Sequence, residues 1–131
     1  MSRKKKSNKQ KREIYSDATL TQGAWVNDQG TSMHFILPDR FQGDMFHAET
    51  YAAYRAIVDN GRNDDHIDLR CDNKGVCLML NSRTAKHPMR YPHVSGLLTR
   101  LLSWMKSRRI SLVVSWIPSE CNLADGPSRS A

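Results

Sequence analysis

Apolar residues alternate early in the chain and then recur at helical spacing. Over 13–19 (EIYSDAT), Ile14, Ser16 and Ala18 share one face of a short strand, and 23–28 (GAWVND) and 31–37 (TSMHFIL) read as two more, joined by a turn at Asn27–Gly30. Three strands in succession with short links make an antiparallel meander. Pro38 ends the third. Asp44 is placed to cap a helix over about 46–59, whose apolar face is Ala52, Ala53, Ala56 and Ile57. Glu49 lies on that same face one turn earlier, and a carboxylate on an apolar face calls for a partner.

Asn60 and Gly61 stop this helix. Residues 66–72 (HIDLRCD) alternate, with Ile67, Leu69 and Cys71 on one face and Asp68, Arg70 and Asp72 on the other. A shorter helix follows at about 74–81. After a loop with Pro88 and Pro92, a long apolar stripe runs through Val94, Leu97, Leu98, Leu101, Leu102 and Met105. Residues 110–117 (ISLVVSWI) read as a buried strand closed by Pro118, and a short helix is expected around 121–129. The fold class is therefore α/β: a mixed five-strand sheet, an antiparallel meander plus parallel strands, with helices packed on it and right-handed crossovers.

Charge divides the chain in two. Of 20 Lys and Arg, seven fall in residues 1–12 (Arg3, Lys4, Lys5, Lys6, Lys9, Lys11, Arg12), leaving 13 against 13 acids in the body. The expected organisation is a disordered basic tail over 1–12 and one folded domain over 13–131. The tail reads as a nucleic-acid-binding arm or nuclear import signal, or as a solubilising terminus. No apolar run is long enough to span a membrane, and the charged start lacks the apolar stretch of a secretory signal. Cys71, Cys77 and Cys121 form no C-x-x-C pair, which argues for reduced thiols, against zinc, and for an intracellular protein of nucleus or cytoplasm.

Four acids stand out by placement: Asp17 near the end of the first strand, Glu49 inward on the first helix, Asp72 at the end of the fourth strand and Asp125 on the final helix. Gathered at one edge of the sheet they would repel one another unless cations neutralised them. An all-oxygen set selects hard cations, Mg²⁺ or Mn²⁺, and two such ions about 4 Å apart can clamp a phosphodiester undergoing in-line attack. Any one strand-terminal Asp is more commonly a cap or turn residue. His47, beside Glu49, reads as a surface residue or as one touching the site; Trp25, Trp104 and Trp116 read as core rather than base-stacking platforms; and Arg83, Lys86 and Arg90 read as sitting on a solvated loop. A substrate-handling loop is the other reading of those three. Asn73 suits substrate contact and equally suits capping the next helix.

The chain resembles the RNase H domain attached to reverse transcriptases of retroelements and pararetroviruses, most closely those of hepadnaviral and DIRS-like tyrosine-recombinase elements. The matching stretches are Ser16-Asp17-Ala18-Thr19 with Gly23-Ala24-Trp25, His47-Ala48-Glu49-Thr50, and Cys71-Asp72-Asn73 with Val76. The most specific is Trp116-Ile117-Pro118-Ser119 with Asn122-Leu123-Ala124-Asp125-Gly126-Pro127-Ser128-Arg129. The resemblance covers about 14–129. It implies an RNase H-like fold and hydrolysis of the RNA strand of RNA–DNA hybrids by two Mg²⁺ ions, for which Mn²⁺ substitutes. It further implies Asp17, Glu49, Asp72 and Asp125 as metal ligands, and a reverse transcriptase as partner in cis or trans. One departure stands out: no His follows His93, and Ser119-Glu120-Cys121 occupies the region where many cellular relatives carry a loop histidine, which implies altered metal and product handling. Two competing expectations remain: a non-catalytic module that binds nucleic acid or docks a polymerase, and a nuclease of the same fold acting on DNA or single-stranded RNA.

Overall fold

In the computed structural model, which describes residues 10–85 and 87–128, the alternating segments form one five-stranded sheet in the order β3-β2-β1-β4-β5. The strands are β1 (Lys11–Ala18), β2 (Gln22–Asn27), β3 (Ser32–Ile36), β4 (His66–Cys71) and β5 (Ser111–Trp116). The first three pair antiparallel, whereas β1, β4 and β5 run parallel. The mixed sheet read from the sequence is therefore the one observed. Parallel neighbours require crossovers, supplied here by α1 (Met45–Asn60) between β3 and β4 and by α2 (Lys74–Ser82) and α3 (Pro92–Arg108) between β4 and β5.

The first strand starts two residues earlier than the charge pattern suggests. Lys11 and Arg12 pair with His66 and Ile67 of β4, and the Arg12 guanidinium meets the buried Asp65 carboxylate at 2.6 Å. These two residues are therefore folded, and Arg12 is committed to an intramolecular pair rather than to a disordered arm. Arg3, Lys4, Lys5, Lys6 and Lys9 lie outside the described residues.

The helices obey their local signals. Asp44 accepts from the His47 backbone N–H at 3.0 Å, and its carboxyl lies below the usual range because of that bond and the His47 side chain beside it. Gly61 closes α1 where a Cβ would come within 2.8 Å of the Ile57 carbonyl and 3.1 Å of the Ile67 and Ile110 methyls, so no larger residue fits. Asn73 caps α2 through its side-chain oxygen, 3.0 Å from Val76 N. The α3 stripe buries Val94, Leu97, Leu98, Leu101 and Met105, with Leu102 at its margin. Val94, Leu98, Leu101 and Met105, with Ala53, Ala56 and Ile57 of α1 and Val76, Cys77 and Leu80 of α2, form one core with Ile14, Ile67, Leu69, Cys71, Leu112 and Val114 of the sheet. Burying this set is the main favourable term of folding.

Two segments differ from expectation. Arg83 stays exposed but is also tied to the fold: in the left-handed conformation that ends α2, its guanidinium donates to the Leu80 carbonyl and, at 3.0 Å, to the Leu112 carbonyl. Arg90 stays on the surface with its guanidinium over the Tyr91 ring, and Lys86 lies outside the described residues. The expected single helix at 121–129 is instead a 3-10 turn at Ser119–Cys121 and a four-residue α4 (Asp125–Ser128). Asn122 separates them because its side chain is used elsewhere, donating to the Ser16 carbonyl and accepting from Ala124 N.

Candidate active site

Because β1 and β4 are adjacent and parallel, their carboxyl ends open on the same edge of the sheet. Asp17 is the penultimate residue of β1 and Asp72 directly follows β4. Glu49 comes from above on α1, whose small residues Ala48, Ala52, Ala53 and Ala56 are all fully buried and let the helix lie close on the sheet. One carboxylate oxygen from each of Asp17, Glu49 and Asp72 lies within 4.8 Å of the other two. These three of the four expected acids are thus brought together. Asp125, at the start of α4, is half-buried and outside this trio, but it stands close enough to Asp17 to contribute to raising its pKa.

The environment penalises charge. Glu49 is 2% exposed, and burial first, then the Asp17 and Asp72 charges, push its pKa up to about 10. Asp17 is raised to about 6, chiefly by burial and then by Asp72, while its contact with Glu49 and the Ala18 N–H at 2.9 Å work in the opposite sense. The opposite signs fit one proton shared between the two, with Glu49 the group whose protonated form burial favours more. The second Asp17 oxygen is approached by the Ser128 hydroxyl at 3.4 Å. One Glu49 oxygen is buried with no hydrogen-bond partner. An orphaned buried oxygen among three convergent carboxylates fits a hard divalent cation, which would replace the shared proton.

Residues outside the acid set build this arrangement. Asn122 and Ser128 fasten the C-terminal segment to Ser16 and Asp17, and both are buried. The sequence places them in its most specific motif without indicating these roles. His47 packs away from the acids, its Nδ1 3.1 Å from an Asp44 oxygen and its ring against Phe41 and Tyr91. Asn73 is seen as the α2 cap. Of the three tryptophans, Trp25 is buried and donates to Asp59 at 2.8 Å, and Trp104 is packed against the core. Trp116 is not a core residue. It is 45% exposed, its indole N–H reaches the Asp72 carbonyl at 3.1 Å, and the Lys74 ammonium lies 4.7 Å from its ring centre. Standing at the last position of β5, it lies beyond the helices that cover Leu112 and Val114. Behind Asp72, the buried Cys71 and Cys77 sulfurs are 3.3 Å apart, and this hydrogen bond together with burial pushes the Cys71 thiol up.

No protein-family model and no curated protein matches the sequence. Solved structures do match. RNase H1 from the halophilic archaeon Halobacterium salinarum NRC-1 superposes with a TM-score of 0.68 at 16% identity, over 89% of this chain and 92% of that one. LC11-RNase H1 in complex with RNA/DNA hybrid gives 0.68 at 19% identity, over 88% and 91%. A foamy viral protease-reverse transcriptase in complex with dsDNA gives 0.53 at 14% identity, over 88% of each chain. The fold is that of ribonuclease H. Its neighbours include both RNase H1 proteins and a viral protease-reverse transcriptase.

Proposed function

We propose that this chain is an endoribonuclease that hydrolyses the RNA strand of RNA–DNA hybrids with two divalent metal ions, and that it derives from a reverse-transcribing element. The observation that carries the reading is the convergence of Asp17, Glu49 and Asp72 around a buried, unpartnered carboxylate oxygen at the carboxyl ends of two parallel strands. The hybrid bound to one structural neighbour supports the substrate class, and the ending motif from Trp116 to Arg129 supports the origin. Mg²⁺, with Mn²⁺ as substitute, would be held by Asp17, Glu49 and Asp72, with Asp125 completing the second position. Bound there, the ions supply the positive charge that activates an attacking water and stabilises the departing 3′ oxygen.

The chain's own groups prepare that chemistry. Glu49 would hold the cation as a carboxylate, since a divalent charge beside it would offset what burial penalises. The Ala18 N–H holds one Asp17 oxygen at 2.9 Å, and the Ser128 hydroxyl, which reaches the Asp125 carbonyl at 2.9 Å, lies 3.4 Å from the other. Asp72 stands just past the strand end and is half-exposed, the most accessible of the three convergent acids.

The test is a gel assay with one labelled strand offered in RNA–DNA hybrid, duplex RNA, duplex DNA and single-stranded RNA, with Mg²⁺. The expected result is cleavage of the RNA strand of the hybrid and little else, since a hybrid pairs 2′-hydroxyls on one strand with a flexible DNA strand on the other. Equal cutting of duplex DNA overturns the substrate assignment. Binding without cutting of any of the four indicates the non-catalytic module.

A further inference from the structure

We infer that Trp116 is a positioning residue for Asp72, an inference that rests on the metal-dependent reading of the acid site. The parallel ladder between β4 and β5 ends where Ile117 N–H donates to the Cys71 carbonyl at 3.0 Å. Asp72 follows immediately, in a two-residue link to α2, where its carbonyl has left the ladder. The group that meets this carbonyl is the indole N–H of Trp116 at 3.1 Å. The side chain that does so is nearly half exposed, an unfavourable place for a large apolar ring that is otherwise unused. Lys74, two residues after Asp72, lays its ammonium on the same ring and fixes the indole from the α2 side. The indole thus bridges the end of β5 and both sides of the link that carries Asp72.

The bond is made to the Asp72 backbone, so it leaves the carboxylate free for a cation while restricting the peptide that aims it. Losing a partner that orients a ligand in this way commonly lowers metal affinity or activity. Phe keeps the ring and its contact with Lys74 but has no N–H. Trp116→Phe should therefore loosen Asp72 without removing a charge or opening the core.

The experiment uses the full chain. Thermal melts are recorded across a Mn²⁺ titration at constant ionic strength, and steady-state cleavage of hybrid is measured alongside. Trp116→Phe is expected to raise the Mn²⁺ concentration giving the half-maximal melting shift by about three- to tenfold, the effect of losing one orienting hydrogen bond. The metal-free melting temperature should change little, and KM should stay within about twofold while kcat at limiting metal falls. NMR supplies a readout that needs no variant to be active: the Trp116 indole N–H should exchange slowly with solvent and should move on Mg²⁺ addition. A parent-like Mn²⁺ midpoint in Trp116→Phe, or an indole resonance indifferent to Mg²⁺ while the parent melts higher with metal, overturns this role and leaves the active-site reading intact. A parent with no divalent-specific melting shift overturns both.

Discussion

Replacing Glu49 by Gln should stabilise the metal-free protein, the reverse of what truncating a buried residue usually does. Glu49 is buried, and in the folded state it holds a proton up to a pKa of about 10. In the unfolded chain it titrates at its ordinary value near 4.5. Above that value the folded state binds one more proton than the unfolded state, so stability falls as pH rises, by about 1.36 kcal/mol per pH unit, until the folded pKa is passed. At pH 7 the accumulated loss is about 3 kcal/mol. Gln carries no such proton, and its amide can donate to the Asp17 and Asp72 carboxylates that surround it. Free of metal at pH 7, Glu49→Gln should therefore melt on the order of 10 °C above the parent, taking about 2 cal/mol/K of unfolding entropy per residue. The gap should be small at pH 5 and widen toward pH 8. With Mn²⁺ at a hundredfold excess over its dissociation constant, the parent gains about 3 kcal/mol and the variant, short of a ligand, much less, so the gap closes. Calorimetry or circular dichroism with EDTA and with Mn²⁺ across that pH range reads all of this. A variant that melts below the metal-free parent at pH 7, or a gap that does not grow with pH, refutes the reasoning.

Asp72→Asn should abolish hybrid cleavage in the gel assay while leaving the metal-free melting temperature unchanged or raised, because it removes one of the charges that burden Glu49. Arg12→Ala strands the buried Asp65 carboxylate, whose other bond comes from Arg62 N, and should cost about 3 kcal/mol by denaturant titration with no change in the salt dependence of hybrid binding. Deleting residues 1–9 should do the converse, flattening the salt slope by at most about four to five through the loss of five cations, with stability unaltered. Asn122→Ala leaves the Ser16 carbonyl without the Asn122 donor and frees the segment that carries Asp125; stability should fall by about 1–3 kcal/mol, and the metal needed for cleavage should rise.

Periodicity carried most of the fold into view. Ile67, Leu69 and Cys71 alternate as a half-covered strand must, and the α3 stripe repeats at the helical period, so both elements follow from burial of one face. Glu49 was legible for the same reason: a carboxylate in register with Ala52, Ala53 and Ile57 has to be buried. What escaped depends on partners remote in sequence. Arg12 looks like one more tail cation until Asp65 is seen beside it, 53 residues away. Trp116 reads as the end of a core strand, and only the position of α2 shows that the cover stops short of it. The break in the last helix lies in a hydrogen bond between Asn122 and the first strand, which no local propensity encodes.

That clasp between the end of the described chain and its first strand spans 106 residues for Asn122 to Ser16 and 111 for Ser128 to Asp17. On the ribosome, Asp17, Glu49 and Asp72 emerge well before Ser128 does. Until residues 122–128 leave the exit tunnel, Asp17 lacks the hydroxyl near its second oxygen, and Asp125 has no fixed place beside it. A translation product halted short of Ser128 therefore carries an unfinished acid site, even though Asp17, Glu49 and Asp72 are all present.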